Sequence, residues 1–318
     1  MSDSFNRILA MEYSEDNDLK TIKEKHSYQY DKDSQIIHEE SSLNWEGQSI
    51  AKKEVKNYQY DFKGQLVNSI VQDENQNQIT TEYSYDSVGN RTEMIVSTDG
   101  KEKSEKKKTI YQYDELNELL SSETQDVLNN GSISSITYTY DESGNLIKSV
   151  DEIKNIENFY QYDPDGQMIS YQSKVEGKES LKQENSYNGD GQRINRQENG
   201  VKTSYYYQNE SLLMTKNGEN QLDSFYYLGS NGTPISVMQM NGETARYYTF
   251  QKDMRGSTQA VIDNNGKCAE WYEYSDFGET TIHNENEDFM NQICYTGGVY
   301  DSSTELYYLN ARYYDSGI

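Results

Sequence analysis

The 318-residue sequence holds only two cysteines, two prolines and two tryptophans. With Cys268 and Cys294 alone, the fold cannot depend on a disulfide framework; the two could pair on neighbouring strands, but free thiols are favoured. No run of about 18 apolar residues occurs, and residues 2–19 lack the apolar stretch of a signal peptide. The scarcity of proline fits segments that each donate to a sheet ladder. We therefore expect neither a signal peptide nor a transmembrane segment in this chain.

Basic residues are also few, with 29 Lys and Arg against 54 Asp and Glu and a net charge of −25. A surface this acidic repels phosphate backbones and anionic lipids, so neither nucleic acid nor membrane insertion is expected. Such charge with only 33% apolar residues is also typical of disorder. Against disorder, 12% of the residues are aromatic and the 30 tyrosines recur at regular positions.

The tyrosines define an internal repeat. The string Tyr-x-Tyr-Asp occurs six times, degenerate copies extend the pattern, and the mean spacing over twelve units is about 24 residues. The intact copies are Tyr28, Tyr30 and Asp31; Tyr58, Tyr60 and Asp61; Tyr83, Tyr85 and Asp86; Tyr111, Tyr113 and Asp114; Tyr138, Tyr140 and Asp141; and Tyr160, Tyr162 and Asp163. The degenerate copies centre on Tyr13, Tyr187, Tyr207, Tyr227, Tyr248 and Tyr274.

The chemistry of the unit predicts a β-hairpin. Two tyrosines at i and i+2 point to the same face of a strand. Asp then begins a type I turn, and a residue with positive φ four places after the second Tyr closes it with a bulge. Polar connections such as 99–108 are expected as loops between units. The predicted positive-φ residues are Gly64, Gly89, Gly144, Gly166, Gly191, Gly278, Asn17, Asn117, Asn231, Ser34 and Ser211.

A lone hairpin is barely stable in water, so successive units must pair edge to edge. Twelve units give about two dozen strands and a sheet roughly 110 Å wide, which must curl because sheets twist. The predicted fold class is all-β: tandem antiparallel hairpins in a curved, spiralling sheet.

The Tyr-x-Tyr-Asp-x-x-Gly unit resembles the YD repeat of RHS proteins, of insecticidal Tc toxin B and C subunits and of teneurins. Residues 246–318 resemble the RHS repeat-associated core, which divides the chain into a repeat array at 1–245 and a core segment at 246–318. The family continues with a self-cleaving aspartyl site, so the core is expected to be truncated at Ile318, and autoproteolysis is not carried over. The residues that carry the core resemblance are Asp253, Gly256, Ser257, Gly278, Tyr307, Tyr308, Arg312, Tyr313 and Tyr314.

The resemblance implies a structural role as part of a YD shell that encapsulates or presents a C-terminal effector domain absent from this chain. The implied partners are that toxin cargo and adjoining YD-repeat segments, in a polymorphic-toxin-type protein that is secreted or lies on a cell surface. The alternative, favoured by aromatic-rich polar strands, is an adhesion module that binds cell-surface carbohydrates.

Candidate catalytic and metal-binding residues are weak. The repeat aspartates are explained as turn residues, and His26, His38 and His283 lack metal-ligand spacing. Residues 163–166 are similar to a calcium loop, but Lys174 stands where a ligand Glu is expected. No enzymatic activity, cofactor or metal site is predicted.

Three further side chains could have either a functional or a structural role. Ser257 lacks the Gly-x-Ser-x-Gly elbow of a hydrolase nucleophile. Trp45 and Trp271 could stack on a sugar, but packing into the sheet is favoured.

Overall fold

The computed structural model describes residues 1–14, 22–44, 52–100, 104–286, 289–310 and 312–318, and these residues form β-strands with one short 3-10 turn. The strands are β1 (Ala10–Ser14), β2 (Ile22–Tyr30), β3 (Ile36–Leu43), β4 (Lys52–Tyr60), β5 (Leu66–Asp73), β6 (Gln78–Tyr85), β7 (Arg91–Asp99), β8 (Ser104–Tyr113), β9 (Leu119–Asp126), β10 (Gly131–Tyr140), β11 (Leu146–Asp151), β12 (Ile156–Tyr162), β13 (Met168–Val175), β14 (Lys178–Tyr187), β15 (Arg193–Glu198), β16 (Val201–Gln208), β17 (Ser211–Lys216), β18 (Leu222–Leu228), β19 (Pro234–Asn241), β20 (Thr244–Lys252), β21 (Thr258–Asp263), β22 (Cys268–Tyr274), β23 (Thr280–Asn284), β24 (Val299–Asp301), β25 (Leu306–Tyr308) and β26 (Tyr313–Asp315).

The strands pair in the order of the sequence. β1 to β23 belong to one antiparallel sheet, and β24 to β26 form a second, three-stranded sheet. The prediction of an all-β chain of tandem antiparallel hairpins is confirmed. By its contacts the chain divides into two compact units: unit 1 takes in the described residues up to Tyr160 with 172–180, and unit 2 takes in 161–171 and the described residues from Leu181 on.

The repeat turn has the predicted chemistry, which Asp61 illustrates. Its carboxylate oxygen Oδ1 accepts the backbone N–H groups of Lys63 and Gln65, both at 2.9 Å. Gly64 has φ of +82° and its N–H donates to the carbonyl of Asp61 at 3.0 Å, while the ladder slips by one residue at Tyr60. A type I turn with a left-handed last residue and a bulge is confirmed. The same positive φ occurs at Ser34, Gly89, Asn117, Gly144, Gly166, Gly191 and Gly278.

Two of the predicted positive-φ positions are wrong, and Asn17 lies outside the described residues. After Tyr207 the strand runs on to Gln208, which pairs with Ser211 across a two-residue turn, so Asn209 takes the positive φ. After Tyr227 the strand runs on to Leu228, and Gly232 rather than Asn231 takes it. Glycine adopts this conformation without a Cβ clash, so a turn that can slip by one residue settles on it.

The prediction of a loop at 99–108 is also wrong for residues 104–108, which belong to a strand. β8 begins at Ser104, opposite Asp99, and carries Lys106 to Lys108 as strand residues, while 101–103 lie outside the described part of the chain. Lys108 Nζ lies 2.5 Å from a carboxylate oxygen of Glu93 on β7. Acidic partners on the neighbouring strand make this lysine run compatible with a sheet, because opposite charges across strands attract.

The two tyrosines of each repeat have different roles. The first is buried: in the six intact copies 3–9% of its surface is exposed. In several repeats the second donates its hydroxyl to a backbone carbonyl of the preceding hairpin, at the first residue after that hairpin's turn. Tyr60 donates to Ile36 and Tyr85 to Leu66, each at 2.8 Å, and in unit 2 Tyr187 donates to Met168 at 2.6 Å. Successive hairpins are thus joined by side chains as well as by the backbone ladder.

The turn chemistry favours glycine at position 144. Gly144 has φ of +80°, so Gly144→Ala should lower the free energy of unfolding by about 1–2 kcal/mol, the cost of a left-handed residue with a Cβ. The matched control is Gly131→Ala, because Gly131 lacks positive φ and a Cβ there would meet nothing within 4 Å. Urea denaturation of both variants tests this; equal midpoints would contradict the turn assignment.

Candidate functional site: the terminal segment on the repeat sheet

In unit 2, one face of the sheet is covered by the chain that follows β23. Buried tyrosines on every second strand, such as Tyr205 on β16 and Tyr226 on β18, form one core cluster with side chains of the terminal segment. Burying this apolar surface is the main source of stability for the arrangement. The cluster comprises Tyr205, Leu212, Tyr226, Val237, Tyr248, Phe250, Val261, Ala269 and Tyr272 from the sheet, and Phe289, Ile293, Cys294, Val299, Tyr300, Tyr307 and Tyr308 from the terminal segment.

Residues 253–257, with the sequence Asp-x-x-Gly-Ser, form a turn that binds this segment. Asp253 Oδ1 accepts the backbone N–H groups of Arg255 and Ser257, and Gly256 has φ of +87°. The fully buried hydroxyl of Ser257 accepts the backbone N–H of Thr296 at 3.0 Å. Ser257 therefore binds backbone, which is a structural role and not that of an activated nucleophile.

Gly278 is required by close packing. A Cβ at this position would lie 2.5 Å from the ring of Tyr295, and the residue has φ of +96°. The hydroxyl of Tyr295 donates to the carbonyl of Asp276 at 3.1 Å, and that of Tyr314 donates to the carbonyl of Phe277 at 2.7 Å. The β22–β23 turn is thus held by two tyrosines of the terminal segment.

The Leu-Tyr-Tyr run on β25 and the Tyr-Tyr pair on β26 also face the sheet. Tyr307 and Tyr308 are buried, and the hydroxyl of Tyr308 accepts the backbone N–H of Arg193 at 2.7 Å. The hydroxyl of Tyr313 accepts a hydrogen bond from Arg193 Nη1 at 3.0 Å. Arg312 is exposed, and its side chain has no hydrogen bond or ion pair with the residues that the structure describes.

The buried arginine of the site is Arg193, which sequence reasoning missed. Its guanidinium and the carboxylate of Asp301 on β24 are both fully buried and form a bidentate ion pair, with Nη2 to Oδ1 at 2.9 Å. Arg196 Nη1 adds a bond to Oδ1 at 2.7 Å, and Gln183 Nε2 lies 3.3 Å from Oδ2. The Arg193 guanidinium also lies over the rings of Tyr205 and Tyr308, 4.9 and 4.7 Å from their centroids. The ion pair therefore joins the repeat sheet to the terminal segment.

The buried charges of Arg193 and Asp301 stabilise each other. Burial acts to raise the pKa of Asp301, but the two guanidinium groups outweigh it and hold that pKa below its usual range. For Arg193 the carboxylate likewise outweighs desolvation, and its pKa is raised. Both groups stay charged, and each supplies the counter-charge that the other needs in a low-dielectric interior.

A second buried carboxylate, Glu270 on β22, holds the first part of the terminal segment. Its oxygens accept the amide of Asn284 at 3.0 Å, the backbone N–H of Asn291 at 3.2 Å and the hydroxyl of Tyr272. Burial raises the pKa of Glu270 to about 7. Burial also raises the pKa of the neighbouring Cys294 thiol, which keeps it protonated and unreactive.

The other residues that the sequence singled out, namely the cysteines, the tryptophans and possible metal ligands, are not part of the Arg193–Asp301 network. Cys268 and Cys294 carry thiols that are not joined in a disulfide, as favoured. The indole of Trp271 is half-buried and stacks on His283 with centroids 3.6 Å apart, while Trp45 lies outside the described residues. Within the ranges described, no group of three or more His, Cys, Asp or Glu side chains has the geometry of a metal site.

Comparison with known proteins identifies the family. The sequence profile of the teneurin YD-shell matches residues 1–318. The chain belongs to this family. The RHS and YD-repeat resemblance read from the tyrosine motif is thereby confirmed.

Relatives of the chain come from bacteria and animals. A protein from Bacillus spizizenii named tRNA3(Ser)-specific nuclease WapA is 27% identical over 252 residues, covering 78% of this chain and 10% of that protein. Teneurin-1 of Gallus gallus is 26% identical over 264 residues, covering 81% of this chain and 8% of its own length. This YD-shell chain thus spans about a tenth of the curated relatives it matches.

The solved structures that the chain matches include two described as TcdB2-TccC3 without the hypervariable C-terminal region and TcdB2-TccC3-Cdc42. They have TM-scores of 0.49 and 0.48, both at 14% identity, covering 99% of this chain and 22% of theirs. Among the described residues of this chain, no helix has the length and apolarity to cross a membrane.

Breaking the buried ion pair should be costly. Asp301→Asn leaves Arg193 buried without its counter-charge, so the free energy of unfolding should fall by about 3–5 kcal/mol. Asp190→Asn, in an exposed turn, is the control and should stay within about 0.5 kcal/mol of the parent. Urea denaturation followed by tyrosine fluorescence measures both. A midpoint for Asp301→Asn equal to that of the control would show that the pair does not hold the segment.

Glu270 should give unfolding a pH dependence. Its pKa is about 7 in the folded chain against an ordinary 4.5, so the folded state holds the proton more tightly. Stability should therefore fall as the pH rises from about 4.5 to 7, by at most about 3 kcal/mol, and then level off. Glu270→Gln should remove that slope, and Glu219→Gln, at an exposed turn, should keep it. Denaturation curves at half-unit pH steps test this; identical slopes in parent and Glu270→Gln would contradict it.

Proposed function

We propose that this chain is a structural stretch of YD-shell wall that encloses or presents an effector domain carried elsewhere in the same protein. The observation that carries the proposal is the hairpin ladder, in which tyrosine hydroxyls such as those of Tyr60, Tyr85 and Tyr187 bind the preceding hairpin. Such an array buries its tyrosines within the sheet itself and can be extended hairpin by hairpin into a curved wall. Family membership over the whole chain supports the same role.

The relatives suggest what the wall encloses. Curated relatives from Bacillus are named as tRNA nucleases, and this chain matches only about a tenth of each. We assign the catalytic work of such a protein to a separate domain and the wall to this chain, because the buried carboxylates Asp301 and Glu270 are committed to structural hydrogen bonds. Release outside the producing cell, as part of a secreted or surface protein, belongs to the same proposal.

Electron microscopy of the natural protein that contains this chain tests the wall directly. We expect particles with a continuous β-sheet wall around internal density, and protease resistance of the enclosed domain until the wall is opened by denaturant. Particles that are solid or fully extended, or an effector domain cleaved as fast as the free domain, would overturn the proposal.

A further inference from the structure

The face of unit 2 that points away from the terminal segment carries a row of large apolar side chains. The cross-strand pairing of β16 to β20 lines up five of them, because residues that lie directly opposite each other share a face. The tyrosines at the two ends of the row are 38% and 48% exposed, and the side chains between them are half-buried. The row consists of Tyr206, Met214, Phe225, Met238 and Tyr247.

A second row of cross-strand partners, from β18 to β21, widens this surface. Its tyrosine is 41% exposed and packs edge-to-face on Phe225, with the ring centroids 5.3 Å apart. In the six intact repeats the residue at the position of Tyr206 and Tyr227 is Gln, Ser or Thr, so the repeat fold does not require rings here. The second row consists of Tyr227, Ser236, Thr249 and Ile262. Together the two rows form the aromatic patch.

The aromatic patch is free of acidic side chains, in a chain of net charge −25. Asp223, the sole acidic residue of β16 to β20, lies in a bulge and accepts the hydroxyls of Thr215 and Ser224, which are buried towards the other face. Lys216 lies beside the patch, with Nζ 5.3 Å from the ring centroid of Tyr206. Aromatic residues and Met are enriched in protein interfaces, and Asp and Glu are depleted. The composition of the patch is therefore that of a protein interface.

The order of the side chains in the first row indicates the partner. Across the strands it reads Tyr, Met, Phe, Met, Tyr, which is the same in both directions. A two-fold axis that passes over Phe225 and runs parallel to the strands brings a second copy face to face with the first. Tyr206 of one copy then lies opposite Tyr247 of the other, Met214 lies opposite Met238, and Phe225 lies opposite itself. Such self-complementarity is what an interface between two identical copies requires.

The area and charge of the patch also suit a second copy. Strands β16 to β21, about seven residues long and about 4.8 Å apart, cover roughly 650 Å². Standard interfaces bury about 600–1,000 Å² on each partner, so this face reaches the lower end of that range. Each copy carries 54 acidic residues, so two copies can approach closely only through a face that lacks them. Two facing sheets pack about 10 Å apart with their side chains interdigitated.

We infer that two copies of this chain associate face to face through the aromatic patch, about a two-fold axis over Phe225. Burial of the exposed rings of both copies drives the association. Because the interface lies at the lower end of the size range, the dimer dissociates on dilution. This inference goes beyond the shell wall, which does not depend on it.

Size-exclusion chromatography with light scattering measures the association of the full chain at about 10–100 µM, since interfaces of this size bind weakly. We expect the mass of two chains, falling towards that of one chain on dilution. Tyr206→Glu and Tyr247→Glu should each weaken the Kd about tenfold or more, because each places a carboxylate opposite a ring. The matched control is Phe62→Glu, which changes a 96% exposed ring in a turn of unit 1 and should keep the dimer.

Single-cysteine variants test the two-fold axis with a short bismaleimide cross-linker. Phe225→Cys places two thiols opposite each other, so this variant alone should form a covalent dimer. Positions 206 and 247 lie about 19 Å apart on one sheet, so Tyr206→Cys and Tyr247→Cys should cross-link only when the two variants are mixed. The native Cys268 and Cys294 are buried, and the parent chain supplies the background.

Three results would overturn the inference. The first is a parent chain that is monomeric at the highest concentration, since the patch would then be covered by a different partner. The second is a dimer that persists unchanged in both glutamate variants. The third is cross-linking of Tyr206→Cys alone as readily as in the mixture. None of these results bears on the wall, which microscopy of the natural protein tests separately.

Discussion

The hydrogen bond from the second tyrosine of a repeat to the preceding hairpin, made by Tyr60, Tyr85 and Tyr187, is the interaction on which the architecture depends. A two-stranded hairpin is marginal in water, and backbone ladders alone allow strands to slip in register. The hydroxyl of Tyr85 can reach the carbonyl of Leu66 in only one register of the two hairpins, because Leu66 is the first residue after the turn of its hairpin. A side chain that recognises the start of the neighbouring strand fixes the register of each addition, so repeats of varied sequence still build a regular sheet.

The first residue after the turn also positions the terminal segment. It is apolar at Leu66, Leu119 and Leu146, and it is an arginine at Arg91 in the β6–β7 hairpin and at Arg193 in the β14–β15 hairpin. Arg193 is fully buried among tyrosine rings, and Asp301 supplies its counter-charge from a strand more than a hundred residues later in the sequence. A buried ion pair contributes little net stability, but it disfavours arrangements that leave either charge unpaired. The pair therefore selects where the terminal segment sits.

These contacts show which features of the structure can be predicted from the sequence and which cannot. The turn at Asp61 and the shared face of Tyr58 and Tyr60 follow from local chemistry with a fixed spacing, and both were predictable. The prediction failed at 231 because the turn slips by one residue to Gly232, and at 211 because the hairpin closes in a shorter two-residue turn with Asn209 as its left-handed residue. Both outcomes depend on competition between neighbouring residues. The pairing of Arg193 with Asp301 leaves no local signal among 54 acidic residues. The arginine itself was no hint, because Arg91 holds the same position after the β6–β7 turn.

The period of two in a β-strand explains how one repeat can place aromatic rings on one face or on both. In the repeats of unit 1, Tyr-x-Tyr with a polar central residue places rings on one face and leaves the other polar. In β16 the run Tyr205, Tyr206 and Tyr207 places rings on both, and the terminal segment covers only the side with Tyr205. The rings on the other side add nothing to that core, yet they recur on alternate strands where a Gln, Ser or Thr would satisfy the fold.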